Sequence, residues 1–156
     1  MQRAVTHHAR GSWPAEKAGD SIALTFDDRH RRRCRLTTTA GSHVLLDLSH
    51  AVAMADGDGL SCEDGSWIVV RAAEEAVVEI TCTEPGELVK VAWHLGNRHL
   101  AAEIYEDRIY IRPDHVIVAM VEGLGAGTRL LERSFDPESG AYHAKVIDAQ
   151  AGHEHR

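Results

Sequence analysis

The chain has 156 residues, of which 44% are hydrophobic and 26% charged, and a formal net charge of −7. That length suits one ordinary domain or two small ones, and the composition is that of a soluble globular protein. The acidic balance speaks against bulk nucleic-acid binding, and the longest apolar runs, such as 116–121, fall far short of a membrane span.

The first thirteen residues carry Arg3, Arg10, His7 and His8 but no apolar stretch of the signal-peptide kind, so the expected location is the cytoplasm. Strands follow in series. "SIALTFDD" (21–28) alternates Ile22, Leu24 and Phe26 with polar neighbours, and "RCRLTTT" (33–39), "HVLLDL" (43–48) and "SWIVVRA" (66–72) continue the pattern. Turn signals separate them at Ala40-Gly41, at "DGDG" (56–59) and at Asp64-Gly65. Short strands at this spacing predict a small all-β domain, a barrel or a sandwich. "DGDG" lacks the alternating oxygen ligands and distal Glu of an EF-hand loop, so a hairpin turn is expected there. The run "RHRRRCR" (29–35) places Arg29, Arg31, Arg33 and Arg35 on one face if it is a strand. Such a face is either solvated and balanced by nearby acids or a docking surface for an acidic protein.

The pattern changes at "AAEEA" (72–76), taken as the domain boundary. "VVEITC" (77–82) reads as a strand, and "EPGELVKVAWHL" (84–95) as a helix with Leu88, Val91, Ala92 and Leu95 as its stripe. Thr83 is the expected N-cap, Pro85 sits early, and Gly96 is the expected left-handed C-terminal cap. "AAEIYEDRIYI" (101–111) reads as two strands folded about Glu106-Asp107. "DHVIVAMVEGLGA" (114–126) is a second helix, capped by Asp114, striped by Ile117, Met120, Val121 and Leu124, and ended by Gly123 or Gly125. "RLLERSF" (129–135) gives a last strand. The order β-α-β-β-α-β is the ferredoxin-like arrangement, so the fold class expected is α+β. The expected domains are 1–74 (β-rich), 75–135 (ferredoxin-like) and a short tail, 136–156.

Cys34, Cys62 and Cys82 are widely spaced and form no CxxC, which fits free thiols in a reducing compartment. "EGLGAGTR" (122–129) follows a helix instead of opening one and has no Gly-Lys-Ser/Thr, which excludes a phosphate loop. No aromatic-rich RNA-binding pattern marks the sheet. Histidine is the residue in excess: there are eleven, and six of them (His94, His99, His115, His143, His153, His155) lie from residue 94 onward. Imidazole is the common protein ligand for nickel, zinc and copper.

"WHLGNRH" (93–99) holds two of these histidines around a glycine-asparagine break. Residues five apart on a helix are turned by about 140° from each other, so the pair is no simple chelate. His94 falls in the last helical turn, where it either favours the negative end of the helix dipole or ligates a metal. His99 emerges after the cap in an exposed loop. One imidazole is inadequate for a divalent transition ion, but a two-fold dimer brings two copies of His99 together, and His115 or the tail histidines then complete the shell.

"WHLGNRH" (93–99), "DHV" (114–116) with its helix ending "GLGA" (123–126), and "FDPESGAYH" (135–143) together resemble the urease accessory protein UreE family. So do "LTFDDRHRRRCRL" (24–36), "LLDL" (45–48) and "DGDGL" (56–60), and the resemblance covers nearly the whole chain. It implies an N-terminal β domain that binds protein, joined to a ferredoxin-like metal-binding domain. It implies a non-enzymatic, homodimeric nickel chaperone that delivers Ni2+ to the urease apoprotein complex with the urease accessory GTPase, and no nucleic-acid or membrane partner. The family's essential ligand falls on His99, and peripheral ligands match His143, His153 and His155. This tail ends "GHEHR" where some members carry a long His-rich run, so delivery of one or a few ions is expected, not storage. Nickel is chosen by the resemblance; all-imidazole sites also take Zn2+ or Cu2+. The alternative is a dimeric adaptor of the urease maturation complex in which metal binding is incidental.

Overall fold

The alternation of the first half becomes six strands in the computed structural model, which describes residues 1–138. They are β1 (Gln2–His8), β2 (Ala18–Leu24), β3 (His30–Thr37), β4 (His43–Ala53), β5 (Gly59–Cys62) and β6 (Trp67–Ala72), in the sheet order β2-β6-β5-β1-β4-β3. Every second side chain turns inward: Ile22 and Leu24, then Val44, Leu46 and Leu48, then Ile68 and Val70 share one core. β1 runs parallel to β4, and β2 parallel to β6. The Thr39 N–H, just past edge strand β3, donates to the Ser21 carbonyl of the opposite edge strand β2 at 2.8 Å. The sheet therefore curls back on itself, nearer to a barrel than to a sandwich.

Several expectations for this unit are corrected. β1 and β5 are strands the pattern did not reveal: β1 buries only Ala4, so it shows no apolar alternation, and β5 is four residues long beside a turn signal. β2 starts earlier and ends at Leu24, and Asp27–Arg29 is a 3-10 turn. "DGDG" is no hairpin turn, because β1 lies between β4 and β5 in the sheet. Its Asp58 is buried and accepts bonds from the N–H of Ala55 at 2.9 Å, the N–H of Arg10 at 2.8 Å, and His7 Nε2 at 2.6 Å. Burial alone raises a carboxyl pKa, but the bonds from His7, Ala55 and Arg10 outweigh it and hold Asp58 below the ordinary carboxylate range. Gly59 follows because Trp13 packs flat on it; a Cβ there would meet the indole at 2.4 Å.

The four-arginine face is also not formed. Arg29 is 1% exposed, and its guanidinium donates to the carbonyls of Met54 at 3.0 Å and Leu24 at 2.8 Å. A register irregularity between Arg31 and Arg33 breaks the alternation of β3. Arg31 pairs with Asp28 at 2.7 Å and Arg33 with Asp47 at 3.2 Å. What remains is an exposed, basic edge strand on which Arg31 and Arg33 have acidic partners, and charge along an edge is one way sheets avoid pairing with other chains.

The second unit begins at Glu74. It contains β7 (Glu74–Thr81), α1 (Pro85–Asn97), β8 (Glu103–Ile104), β9 (Ile109–Ile111), α2 (His115–Gly123) and β10 (Gly127–Ser134). The sheet order is β10-β7-β9-β8, with every neighbour antiparallel. Val78, Ile80, Ile109 and Ile111 on one sheet face pack with Leu88, Val91 and Leu95 of α1 and Ile117 and Val121 of α2. This is the expected β-α-β-β-α-β fold, and the chain is α+β as expected. Glu106-Asp107 does form the β8–β9 turn, closed by the Tyr105 N–H on the Arg108 carbonyl at 2.9 Å. No helix among the described residues is long and apolar enough to cross a membrane.

Candidate metal centre

The stretch between α1 and β8 is built by the way α1 stops. Pro85 opens the helix at a position where its missing N–H is harmless, and Glu84, not Thr83, occupies the N-cap without a side-chain capping bond. Gly96 does not end the helix; α1 continues through Asn97. The His99 N–H returns to the Gly96 carbonyl at 3.0 Å, and the Leu100 N–H to the Leu95 carbonyl at 3.1 Å. That pair of bonds is a Schellman motif, with Leu100 packed on the same core as Leu95. The residue forced into the left-handed region is His99, at φ 58°, and among the described residues it is the one non-glycine with positive φ.

This corrects the expected glycine break between His94 and His99. His94 lies inside α1, half-buried, with its ring edge-on to Trp93 at 5.1 Å between centroids. His99 stands past the helix end and is exposed. The last carbonyls of a helix carry partial negative charge, so a cation held at His99 is favoured by about 0.3–1 kcal/mol. His115 is exposed too, but it is the first residue of α2, whose Asp114 accepts from the N–H groups of Val116 at 3.0 Å and Ile117 at 3.2 Å. The dipole at that end opposes a cation. His143, His153 and His155 lie outside the described residues.

Among the described residues, no three His, Cys, Asp or Glu side chains group closely enough to hold a metal ion. His99 offers one imidazole, whereas such ions take about four or more donors. A metal centre that included His99 would need further donors from outside the described residues of one chain. The outward face of α1 carries Val89, 70% exposed, and Trp93, 64% exposed, one turn apart. Exposed apolar groups spaced in this way mark a contact surface when they cluster.

One network had no signature in the sequence. Glu103 is buried at 7% exposure, although "AAEIYED" gives no sign of it. Its carboxylate accepts from the Tyr105 hydroxyl, from Arg133 Nη2 at 3.3 Å, and from the Asp136 N–H at 3.0 Å. The Arg133 guanidinium lies over the Tyr110 ring at 3.9 Å. Beside it the Glu138 N–H donates to the Ala102 carbonyl at 2.8 Å, and Phe135 is fully buried.

The UreE urease accessory protein C-terminal domain matches residues 75–156, and the N-terminal domain of the same family matches residues 2–73. The chain is 50% identical over 155 residues to a urease accessory protein UreE of Rhodopseudomonas palustris, covering 99% of this chain and 72% of the relative. It is 46% identical over 155 residues to the protein of that name in Agrobacterium fabrum, covering 99% of this chain and 92% of the relative. Over 142 residues it is 53% identical to a Bradyrhizobium counterpart, covering 91% of this chain and 67% of the relative.

Proposed function

The chain belongs to the UreE family of urease accessory proteins, and from that premise we propose that it is a nickel metallochaperone. In this reading it is no enzyme: Ni2+ is its cargo, delivered in the cytoplasm to the urease apoprotein complex with the urease accessory GTPase. Its working form is a homodimer in which His99 of one protomer and His99 of its partner hold one ion.

The observation that carries the reading is the conformation of His99. A left-handed C-terminal position is the natural place for glycine, and a side chain there costs about 1 kcal/mol. Here the side chain in that position is an exposed imidazole at the negative end of a helix. Val89 and Trp93 supply apolar surface on the same helix for a two-fold contact.

Covalent geometry ranks the remaining donors. Ala102, which holds Glu138, is three residues beyond His99, a span of at most about 11 Å. His143 is five residues beyond Glu138, a reach of at most about 18 Å. His143 is thus within reach of His99 from its anchor, and His153 and His155 reach it on a longer tether. His115 is the weakest of the proposed donors because of the dipole at its helix end.

The test is nickel calorimetry with molar mass measured in parallel. Wild type binds as a dimer, and His99→Ala loses most of the high-affinity binding while remaining folded. A mutant that titrates like wild type overturns the assignment. Complex formation with the GTPase that is indifferent to Ni2+ would instead favour the adaptor reading. Binding also weakens as pH falls through roughly 6, because imidazole must be neutral to ligate and its reference pKa is near 6.5. Affinity that stays flat from about pH 7.5 to 5.5 points to carboxylate donors.

A further inference from the structure

We infer that edge strand β3, with the arginines on its outward face, is a docking site for an extended acidic segment of another protein, one that alternates carboxylates with β-branched residues and adds as a strand beside β3. The inference concerns the first unit alone and stands whether or not the chain carries nickel.

The surface is assembled from three strands. Cys34 and Leu36 of β3 pack on the core, so Arg33 and Arg35 point outward. On β4, Val44 and Leu46 are buried, which turns Leu45 and Asp47 outward as well. Register sets Arg3 of β1, Leu45 and Arg35 in one row, and places Arg33 beside Asp47. Asp47 is already engaged, by Arg3 at 2.6 Å and Arg33 at 3.2 Å, and Arg3 also pairs with Glu63. The bond from Arg3, foremost, holds the Asp47 carboxyl below its ordinary range, so it stays charged at neutral pH. Arg35 forms no ion pair with a described residue. With Arg31 on Asp28 and Arg32 exposed beside it, this edge is basic in a chain whose net charge is −7. The acids present do not balance it, and Arg35 is the charge left over.

β3 pairs with β4 on one side and with no strand on the other. Every second residue of His30–Thr37 therefore turns its N–H and C=O away from the sheet. A strand added there takes up these groups, and its side chains alternate in step with those of β3. Carboxylates two residues apart then lie opposite Arg33 and Arg35, at Cβ separations of about 5 Å. The side chains between them turn to the other face, beside Cys34 and Leu36, where β-branched residues fit. The charge that repels a basic edge, such as β3 of a second copy, draws an acidic one. A nucleic acid offers the charge but no backbone ladder, and β3 has no Phe, Tyr or Trp on which bases could stack.

The experiment titrates the full-length chain with a labelled peptide of alternating glutamate and valine, read by fluorescence anisotropy. Three probes run beside it: a peptide of the same composition with its glutamates in one block, a lysine–valine peptide and single-stranded RNA. The expected result is saturable binding of the glutamate–valine peptide that weakens as salt screens charge, with each of the other probes weaker by ~5-fold or more. Arg35→Glu weakens the peptide by ~5-fold or more, and Arg35→Lys retains most of its affinity. Both variants keep the melting temperature and the Ni2+ titration of wild type. If the reversed charge lowers the melting temperature, Arg35→Ala is judged in its place. Amide exchange gives the second readout: with peptide bound, β3 amides gain protection while those of β10, an edge of the other sheet, do not. Wild-type affinity in the Arg35 variants, RNA or the block peptide binding as tightly, unchanged protection along β3, or no binding of the peptide at all overturns the proposal.

Discussion

The two helices of the second unit end in the same motif with different residues at its critical position. At the end of α2 the Gly125 N–H bonds the Glu122 carbonyl at 3.0 Å and the Ala126 N–H bonds the Val121 carbonyl at 3.1 Å. At the end of α1 His99 and Leu100 make the equivalent bonds to Gly96 and Leu95. Gly125 sits at φ 98° and His99 at φ 58°. Glycine meets that conformation without steric penalty, whereas histidine pays with a Cβ crowded against the backbone. The end of α2 is built for stability. The end of α1 gives up part of that stability and sets an exposed imidazole just past the helix end, where the ligand role proposed for it would place the metal.

The largest effect expected from disturbing either end lies in the apolar contact beneath it. Leu95→Ala removes a fully buried side chain and lowers unfolding free energy by about 2–5 kcal/mol in denaturant titration. It also loosens the Leu100 contact and with it the placement of His99, so nickel affinity falls too. Next is Gly125→Ala, which forces a Cβ into the left-handed region and destabilises by roughly 1–2 kcal/mol. The N-terminal ends differ in the opposite sense. Asp114→Ala removes two capping bonds and costs about 1 kcal/mol, while Glu84→Ala, with no capping bond to lose, stays within about 0.5 kcal/mol of wild type. A small effect of the opposite sign is expected for His99→Gly. It relieves about 1 kcal/mol of strain but frees the unfolded chain, so a net gain of roughly 0.5 kcal/mol is expected. A loss of stability there would mean that the side chain, not the backbone, holds the turn.

The same contrast explains what was readable from the sequence. α2 was legible but for one stripe position: Asp114 caps it, Ile117 and Val121 are buried with Met120 packed beside them, and a glycine closes it, whereas Leu124, expected in the stripe, is the C-cap and exposed. For α1 the stripe was right but the end was misplaced at Gly96. A Schellman motif is frequently accompanied by an apolar residue five beyond its first carbonyl partner, packed back on that partner. With Gly96 as the left-handed residue, Asn97 would have filled that place; with His99 there, Leu100 fills it and covers Leu95. Burial of Leu100 outweighed the preference for glycine, a tertiary effect that periodicity within the helix does not carry. β1 and β5 were missed for a related reason. Their pairing partners lie far along the chain, and β1 shows one buried residue where an alternating row would have marked it. Arg29 read as surface because nothing local announces that two carbonyls, of Leu24 and Met54, await its guanidinium. Glu103 was silent likewise, since its partners Arg133 and Asp136 are brought to it only by the folded sheet.

The central claim is that the residue at the end of α1 is a histidine for the sake of a metal ion, at the expense of stability. It is tested most directly by titrating Ni2+ into His99→Gly beside wild type, with the denaturation midpoint of each measured on the same preparations. The account predicts a variant that is at least as stable as wild type and has lost most of its high-affinity nickel binding. A variant that binds Ni2+ as wild type does would contradict it.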